Sequence, residues 1–326
     1  MENVRIGIIG TGYIGNVHAR IYAGIEGAEI AALYDIVPEK AELTSRSVGG
    51  KVCGSREELF ENCDAVLVCT PNKTHIEIAT DAVNHGKHVF CEKPFAIGTE
   101  DARKLLESAN SGNGVFQVGH NRRFAPVYAK LKELLADDES HSAHIKMNRG
   151  ELKNPVWTGD VNVTGGFLYE TTIHLFDMIR FQFGEIEELV AYGSQHEYPE
   201  PDEFSIIFKF NSGFHCTFAS SSDASWHFPF ERIEVFCHHR TIMTQEMEHL
   251  IDSRGMDANF ETLSYHMTEK EERWGYVQED REFIRSIQEG IEPAVSAYDG
   301  FKSVELVESV YKAIRTGEKI RFQPQP

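Results

Sequence analysis

Two ionisable residues, Glu92 and Lys93, stand side by side at the end of the apolar run HVFC (88–91), and Pro94 follows them. Charged residues next to proline are typical of an exposed turn that has no further role. A lysine held at the edge of a buried sheet can instead assist proton transfer to or from a hydroxyl. The choice between these readings depends on what else lies at that edge.

A second group of residues indicates a cofactor. Gly10, Gly12 and Gly15 follow an apolar run in G-x-G-x-x-G spacing, and Asp35 ends the next apolar run. Such glycines let backbone amides approach a pyrophosphate at a helix N-terminus, and an acid at this distance accepts hydrogen bonds from the adenosine ribose. Because Asp35 would repel a ribose 2′-phosphate and no arginine follows it, the sequence predicts NAD rather than NADP.

A third group lies in GGFLYETTIHLFDMIRFQFG (165–184), which is long and apolar enough to predict a helix of about five turns. Glu170, His174 and Asp177 interrupt it at i, i+4 and i+7, which predicts one polar stripe. Such a stripe belongs either to a buried structural network or to a cleft. In a cleft, Glu170 is placed to hold the tautomer of a catalytic His174 and to stabilise its imidazolium.

The elements that must position these residues alternate along the first third of the chain. Segments with helical period separate the strand-like runs, and Thr99 is the expected N-cap of one helix. This alternation predicts a doubly wound parallel sheet, whose ligands bind at the carboxyl ends of its strands. CTPNKTH (69–75) and CEKP (91–94) then leave strands at the same edge. The predicted strands are 4–10, 29–35, 64–70, 87–92 and 114–120.

The rest of the chain favours an antiparallel sheet. Runs with alternating apolar residues at 203–210, 213–221 and 230–237 are joined by short turns such as NSG. Helical periodicity at 276–289 and 299–316 predicts helices that cover one sheet face, and the polar stretch 249–274 is expected to be a loop. The expected domains are 1–121 for the dinucleotide and 122–326 for substrate binding and oligomerisation, with a C-terminal helix that can pack back on the first.

Composition excludes several classes of protein. Against 32 Lys+Arg there are 51 Asp+Glu, and a formal charge of −19 disfavours nucleic acid and anionic lipid surfaces as partners. The N-terminal residues do not resemble a secretory signal, and no window approaches a membrane span. Six scattered cysteines lack zinc spacing, and His238 and His239 indicate no metal site. We therefore expect a cytoplasmic protein without a metal.

The motifs, taken in order, resemble the glucose-fructose oxidoreductase / inositol dehydrogenase / rhizopine catabolism family (Gfo/Idh/MocA) over essentially the whole chain. They are GTGYIG, CTPNKTH, EKP, GHNRRF (119–124) and GGFLYETTIHLFD (165–177). The resemblance implies a Rossmann domain followed by an open, mainly antiparallel sheet covered by helices on one face. It also implies that Lys93 lies at the active site and Glu92 faces the cofactor. The implied cofactor-binding residues are Gly10, Gly12, Tyr13, Ile14, Gly15, Asp35, Thr70, Pro71, Asn72, His75, Glu92 and Lys93.

The family's D-x-x-x-H pattern matches His174 but departs at Glu170, whose extra methylene leaves three roles open: orienting His174, contacting a substrate hydroxyl or marking a subgroup with other substrates. Asp177 fits a later acid of the family, for which a structural role is favoured. Trp157 resembles a loop residue that covers substrate, and Arg122 is a candidate carboxylate anchor or interface residue. The expected catalytic residues are Lys93, His174 and Glu170, and the expected substrate-binding residues are Lys93, Arg122, Trp157, Glu170 and His174.

The resemblance implies an NAD-dependent dehydrogenase acting on a hydroxyl carbon of a sugar, an inositol or a sugar derivative, in a homodimer or homotetramer formed through the C-terminal sheet. An NAD-dependent glycoside hydrolase that oxidises its sugar transiently and a non-catalytic NAD-binding sensor are the alternatives. A phosphorylated substrate would need a basic anchor, for which the sequence offers Arg122, Arg123, Arg149 and Lys153.

Overall fold

The computed structural model describes residues 3–136, 138–150, 156–225, 230–256 and 260–323. The chain divides into two compact units. The first comprises Met1–His120 and Tyr276–Val304, and the second comprises Asn121–Gly275 and Glu305–Pro326. Each unit is built around its own β-sheet.

The first unit contains a six-stranded sheet in which every neighbouring pair is parallel. The strand order is β3-β2-β1-β4-β5-β6. From β1 the chain adds strands first on one side and then, starting with β4, on the other, and doubly wound sheets bind ligands at such a switch point. All five predicted strands are confirmed, and β3 is an additional short strand. The strands are β1 (Val4–Ile9), β2 (Ala28–Tyr34), β3 (Lys51–Val52), β4 (Ala65–Val68), β5 (His88–Glu92) and β6 (Phe116–Gly119).

Helices separate these strands, as the sequence predicts. They are α1 (Tyr13–Tyr22), α2 (Pro38–Val48), α3 (Arg56–Asn62), α4 (His75–Asn84) and α5 (Thr99–Ser111). The expected N-cap at Thr99 is wrong by one residue. Gly98 is the N-cap, with φ of +84° and no side-chain hydrogen bond, and Thr99 is the first helical residue. The chain enters α5 through a positive φ that glycine adopts without steric cost.

The second unit contains a nine-stranded sheet, ordered β14-β13-β12-β11-β7-β10-β9-β8-β15, in which β7 and β10 pair in parallel and the other neighbours are antiparallel. The three strands predicted here are confirmed. The loop expected at 249–274 is wrong, because β13 and β14 form an antiparallel pair within it. The strands are β7 (Ser140–Asn148), β8 (Ile186–Ser194), β9 (Glu203–Phe210), β10 (His215–Ser221), β11 (Glu231–Cys237), β12 (Arg240–Gln245), β13 (His249–Arg254), β14 (Phe260–Ser264) and β15 (Ile320–Arg321).

The described part of the second unit contains four α-helices in addition to the end of the last helix of the chain. They are α6 (Pro126–Ala136), α7 (Val161–Thr164), α8 (Ile173–Phe183) and α9 (Lys270–Arg273). The longest of the four, α6 and α8, pack on the sheet. On β9 every second residue from Phe204 to Phe210 is buried, and the residues between them are exposed. The ring of Phe176 on α8 lies 5.7 Å from Phe208 and 5.2 Å from Phe218, so α8 packs on the buried face.

Residues 276–304 return to the first unit, so the expectation that the helix at 276–289 covers the second sheet is wrong: this helix packs against the first sheet. The returning residues contain α10 (Tyr276–Glu289) and the start of α11 (Ala297–Thr316). Phe283 of α10 is fully buried against Phe90, with 5.7 Å between ring centroids, and it belongs to the same apolar cluster as the β1 side chains. Among the residues that the structure describes, no helix has the length and apolar character needed to cross a membrane.

Candidate active site

The loop from β1 to α1 has the geometry of a pyrophosphate cradle. Gly10 has φ of +89°, and a Cβ there would lie 2.5 Å from the carbonyl oxygen of Cys69. A Cβ on Gly15 would lie 2.0 Å from the carbonyl oxygen of Gly10, so α1 starts close against the strand. A Cβ on Gly12 would meet nothing within 4 Å. These are the tight turn, the close packing and the open approach that the dinucleotide fingerprint requires.

The N-terminus of α1 is suited to an anion. Gly12 is its N-cap and supplies no side-chain cap, and the first turn contains no acidic residue. The first amide groups of a helix lack intrahelical acceptors, and the helix dipole favours negative charge there. Tyr13 is 74% exposed at this end, whereas Ile14 packs partly buried against the apolar core.

Asp35 connects the glycine loop to the end of β2. One carboxylate oxygen accepts hydrogen bonds from the Thr11 amide at 2.8 Å and from its hydroxyl at 3.2 Å. The other oxygen accepts from the Val37 amide at 2.9 Å. Since each carboxylate oxygen can accept two bonds, Asp35 keeps capacity for ribose hydroxyls while it holds the loop in shape.

The CTPNKTH segment leaves β4 at the same edge of the sheet. Its 3₁₀ turn Asn72–Thr74 leads directly into α4. His75 is buried, with Nε2 2.8 Å from the Thr70 carbonyl oxygen and Nδ1 2.8 Å from the Pro94 carbonyl oxygen. Burial lowers the pKa of His75, which favours a neutral ring with one N–H to donate. A neutral ring donates to only one of these two carbonyl oxygens at a time, while it contacts both of the segments that follow β4 and β5.

Lys93 follows β5 directly, and its peptide bond to Pro94 is cis. Its amide donates to Glu92 Oε2 at 3.1 Å. Glu92 itself is buried, and its Oε1 lies 3.0 Å from His18 Nε2. Burial opposes the charge on Glu92, but the hydrogen bond from His18 and the positive charges of His18 and Lys93 outweigh it and lower the pKa of Glu92.

His18 and Asp280 were not identified from the sequence. His18 is fully buried in α1, and its Nδ1 lies 2.8 Å from Asp280 Oδ1 on α10. His18 follows the last motif glycine by three residues, in GxGxxGxxH spacing, but this spacing indicates no partner for it. Its two partners, Glu92 and Asp280, lie 74 and 262 residues away in the sequence. Glu92, His18 and Asp280 thus form a buried, hydrogen-bonded series of side chains, and Glu92 is the residue directly before Lys93.

In the second unit, the predicted five-turn helix is in two parts. Leu168–Thr172 is a π-helical turn, closed by a bond from the Ile173 amide to the Leu168 carbonyl, and α8 follows. The expectation of one uniform α-helical stripe is therefore wrong for its first turn. Between Gly166 and Arg180, Glu170 and His174 are the two residues that are not fully buried. Both side chains reach accessible surface from a helix that is otherwise core, and π turns are frequent at functional sites.

The arginines of GHNRRF form ion pairs within the second unit. Arg122 is buried and bonds to Glu231 through Nε at 2.9 Å. Arg123 holds Asp177 with two bonds of 2.7 and 2.6 Å. The pair with Glu231 disfavours the predicted substrate contact of Arg122, because exchanging a buried partner would leave Glu231 uncompensated. Asp177 has the structural contact that the sequence favours.

Trp157 lies in a 3₁₀ turn, Val156–Gly159, and is 37% exposed. Asp160 caps the short α7 that follows by accepting a bond from the Asn162 amide at 2.9 Å. Residues 151–155 lie outside the described residues, and Lys153, a candidate phosphate anchor, is among them. The expected role of Trp157 over the substrate stays a prediction.

Curated relatives match this chain over nearly its whole length. The myo-inositol 2-dehydrogenase of Thermotoga maritima is 29% identical over 334 residues, 98% of this chain and 99% of that protein. The inositol 2-dehydrogenase of Rhizobium meliloti is 28% identical over 335 residues, 97% and 98% of the two chains. The solved structure of levoglucosan dehydrogenase with NADH and levoglucosan superposes with a TM-score of 0.90 at 20% identity, covering 99% of this chain and all of that one, a likeness of fold.

Two family profiles match in succession. Residues 4–120 match the profile described as "Oxidoreductase family, NAD-binding Rossmann fold". Residues 132–322 match the one described as "Oxidoreductase family, C-terminal alpha/beta domain". Together they span nearly the whole sequence, in the order in which the motifs occur. The chain belongs to the Gfo/Idh/MocA family of oxidoreductases, as its motifs predict.

Proposed function

We propose that this protein oxidises a CH–OH group of an inositol, a sugar or a sugar derivative, with NAD as the hydride acceptor. The observation that carries the proposal is that Lys93 follows β5 at the carboxyl edge of the sheet, the same edge at which β1 leads into the glycine loop. Ligands of doubly wound sheets bind at that edge. The inositol dehydrogenases that cover the whole chain support the substrate class.

In the proposed reaction, a carbinol carbon loses a hydride, its hydroxyl oxygen loses a proton, and the C–O bond becomes a carbonyl. NAD, held along the glycine loop and the Thr70–His75 segment, supplies the hydride acceptor when bound. His174 or Lys93 accepts the proton as general base. If His174 is the base, the Lys93 ammonium stabilises the developing alkoxide. Glu170 orients His174 or receives a hydrogen bond from a substrate hydroxyl.

We also infer a preference for NAD over NADP from Asp35. Its carboxylate keeps acceptor capacity for the ribose hydroxyls and would repel a 2′-phosphate. Steady-state kcat/KM values with the two cofactors test this inference. Comparable values would contradict it.

The first experiment follows NADH absorbance at alkaline pH, with NAD and a panel of inositols, aldoses, amino sugars and sugar phosphates. A strong signal with one member supports the dehydrogenase and identifies its substrate. If NAD binds and the whole panel is silent, the proposal is contradicted. Cleavage of an aryl glycoside without net NADH would then favour the hydrolase, and NAD binding alone would favour the sensor.

Replacing Lys93 by methionine tests its role in the chemistry. We expect kcat to fall about 10²- to 10⁴-fold, because the variant lacks the proton-transfer or oxyanion-stabilising group. The Kd for NAD should stay within about threefold, since methionine keeps the apolar stem. The matched control is Lys104→Met, which removes an exposed lysine that pairs with Glu100. Unchanged turnover in Lys93→Met would refute the mechanism.

A further inference from the structure

A fully buried histidine lies between two carboxylates in the first unit. His18 Nε2 is 3.0 Å from Glu92 Oε1, and His18 Nδ1 is 2.8 and 2.9 Å from the two oxygens of Asp280. The side chains of His18 and Asp280 are wholly inaccessible, and that of Glu92 is 8% exposed. A neutral imidazole has one N–H donor and an ionised carboxylate has none, so two carboxylate contacts are best satisfied by a ring protonated at both nitrogens.

The groups around His18 fit this charge. The titratable side chains that face the cluster are Tyr22 of α1, Cys69 at the end of β4, Glu92 of β5, and Tyr276, Glu279 and Asp280 of α10. His75 and Lys93 also face the cluster, where they act on Glu92. The charged groups that act on His18 itself are the carboxylates of Asp280 and Glu92. Burial works against the imidazolium, yet Asp280 and Glu92 raise the pKa of His18 well above its usual value.

A metal ion is the other reading of such a cluster. Ligand atoms of His18, Glu279 and Asp280 lie within 4.8 Å of one another. The separation of 2.8 Å between His18 and Asp280, however, is a hydrogen-bond distance that leaves no room for an ion between these atoms. The arrangement therefore favours a proton over a metal.

The cluster connects the two parts of the first unit on which the proposed function depends. His18 lies on α1, whose N-terminus forms the glycine loop, while Glu92 uses its second oxygen to hold the amide of Lys93. Asp280 anchors the other side of His18 on α10. A single imidazole thus joins the cofactor cradle, the reacting lysine and a helix from the far end of the sequence.

We propose that His18 is a positioning residue: a permanently charged imidazolium that holds the Glu92–Lys93 turn against α1 and α10. Its effect on catalysis rests on the proposed role of Lys93. The charge of His18 does not depend on the role of Lys93, and it can be measured in the absence of turnover.

The first test is nitrogen NMR of the full-length protein labelled with ¹⁵N-histidine. We expect one ring with protons on both nitrogens from about pH 6 to 9, across the range in which ordinary histidines near pH 6.5 lose a proton. This signal should disappear in His18→Gln and persist in His85→Gln, which removes an exposed histidine of the same unit. A neutral ring at position 18 at pH 8, or one tightly bound metal ion per chain by elemental analysis, would overturn the proposal.

The second test is kinetic. His18→Gln should lower kcat about 10- to 100-fold, because small misplacements of a catalytic group have effects of this size. The Kd for NADH should stay within about threefold. Without its cationic partner, buried Glu92 takes up a proton at higher pH, so the acidic limb of the kcat profile should move up by about one pH unit. A wild-type kcat and pH profile in this variant would contradict the positioning role.

The two failures can be told apart. A wild-type protein without turnover contradicts the proposed function alone, and the NMR experiment still decides the charge of His18. If His18→Gln does not fold, Glu92→Gln provides the same test with an isosteric change. In that variant His18 should begin to titrate near neutrality and kcat should fall as above. A ring that stays doubly protonated at pH 8, together with unchanged kcat, would overturn the proposal.

Discussion

At the scale of single residues, the three motif glycines perform different tasks. Gly10 and Gly15 are required by the protein itself, because a Cβ on either would overlap a carbonyl oxygen. Gly12 is required by nothing in the described protein, since a Cβ there has open space and its φ of −70° suits any residue. The expected cofactor contact of Gly12 stays a prediction, and this open space is consistent with it.

Alanine at each position separates these tasks. Gly12→Ala should keep the melting temperature of the wild type and weaken NAD binding about tenfold or more, because the methyl group occupies the approach of the pyrophosphate. Gly15→Ala should lower the free energy of unfolding by about 1–3 kcal/mol through overpacking. Calorimetry with and without NAD measures both effects. Equal NAD affinity in Gly12→Ala and the wild type would contradict the prediction that the glycine loop binds the pyrophosphate of NAD.

Residues that act through local spacing could be predicted from the sequence, and residues that act through distant contacts could not. Gly10, Gly12, Gly15 and Asp35 form a pattern within one strand-helix-strand unit. Spacing carries no information about His18 and Asp280, because a hydrogen bond between residues 262 positions apart depends on the completed fold.

At the scale of elements, the segment that carries Glu170 and His174 shows how tertiary contacts modify a helix. Tyr169 donates to Glu308 at 2.8 Å, and Thr172 bonds to Ser220 at 2.8 Å, so both ends of the π turn are fixed from outside. Gly166 has φ of +108°, and a Cβ there would lie 2.9 Å from the Tyr311 hydroxyl. Apolar periodicity predicts the helix itself, but the partners that favour the wider turn are far away in sequence.

The Arg123–Asp177 pair joins α8 to the turn before α6, and both side chains are buried. Arg123→Met should lower the free energy of unfolding by about 3–5 kcal/mol, because it leaves the Asp177 carboxylate buried without a partner. The control is Lys209→Met, whose exposed pair with Glu187 should contribute less than about 1 kcal/mol. Urea unfolding followed by tryptophan fluorescence reports on this unit, since all three tryptophans lie between residues 121 and 275. Equal losses in the two variants would contradict the prediction.

Glu246, after β12, should make the second unit less stable as pH rises. Burial and the charge of Glu231 raise the pKa of Glu246 to about 7 from 4.5. Between these values the folded protein keeps a proton that the unfolded chain has released, so stability falls with pH and then levels off above about pH 7. Glu246→Gln keeps the acceptor for the Phe230 amide and removes the titration.

Relative to the wild type, the free energy of unfolding of Glu246→Gln should rise by about 1 kcal/mol as the pH goes from 5 to 8. This value is reduced because Glu246 is partly exposed. Urea unfolding at the two pH values measures the gain. Glu261→Gln, which changes an exposed carboxylate on β14, is the control. A constant difference between Glu246→Gln and the wild type at both pH values would be inconsistent with this titration.

At the scale of the whole molecule, the second sheet presents a face that its own helices do not cover. The register aligns Val190, Ile207, Met243 and Ile251 on this face, and Ile207 is 53% exposed. Exposed apolar area on a sheet is typical of a protein interface. This supports the expected homodimer or homotetramer, which stays a prediction.

Light scattering after gel filtration tests the assembly. The wild type should have two or four times the mass of one chain. Ile207→Glu combined with Tyr192→Glu should shift it towards the monomer, because both side chains are exposed on the same sheet and charge disfavours their burial. Leu43→Glu, at a residue 68% exposed on α2, should leave the mass unchanged. A monomeric wild type would rule out the assembly.

The sequence predicts this sheet only in part. The three central runs alternate clearly, whereas β7 has Ala143, Ile145 and Met147 between polar residues, and β14 is exposed throughout. β14 is an edge strand whose side chains are all exposed, so it offers no apolar alternation to detect. β7 lies at the centre of the sheet, and its three buried residues alternate with polar ones that include two histidines and a lysine, which weakens its apolar signal.

The return of residues 276–304 to the first unit also constrains the order in which the two units can fold during synthesis. The cluster beneath β1 needs Phe283 and Ile284, and the chain around His18 needs Asp280. A ribosome must therefore finish strands β7 to β14 of the second sheet before the first unit can be completed. Domains usually fold from the N-terminus as they emerge, but here the first domain in the sequence is completed late.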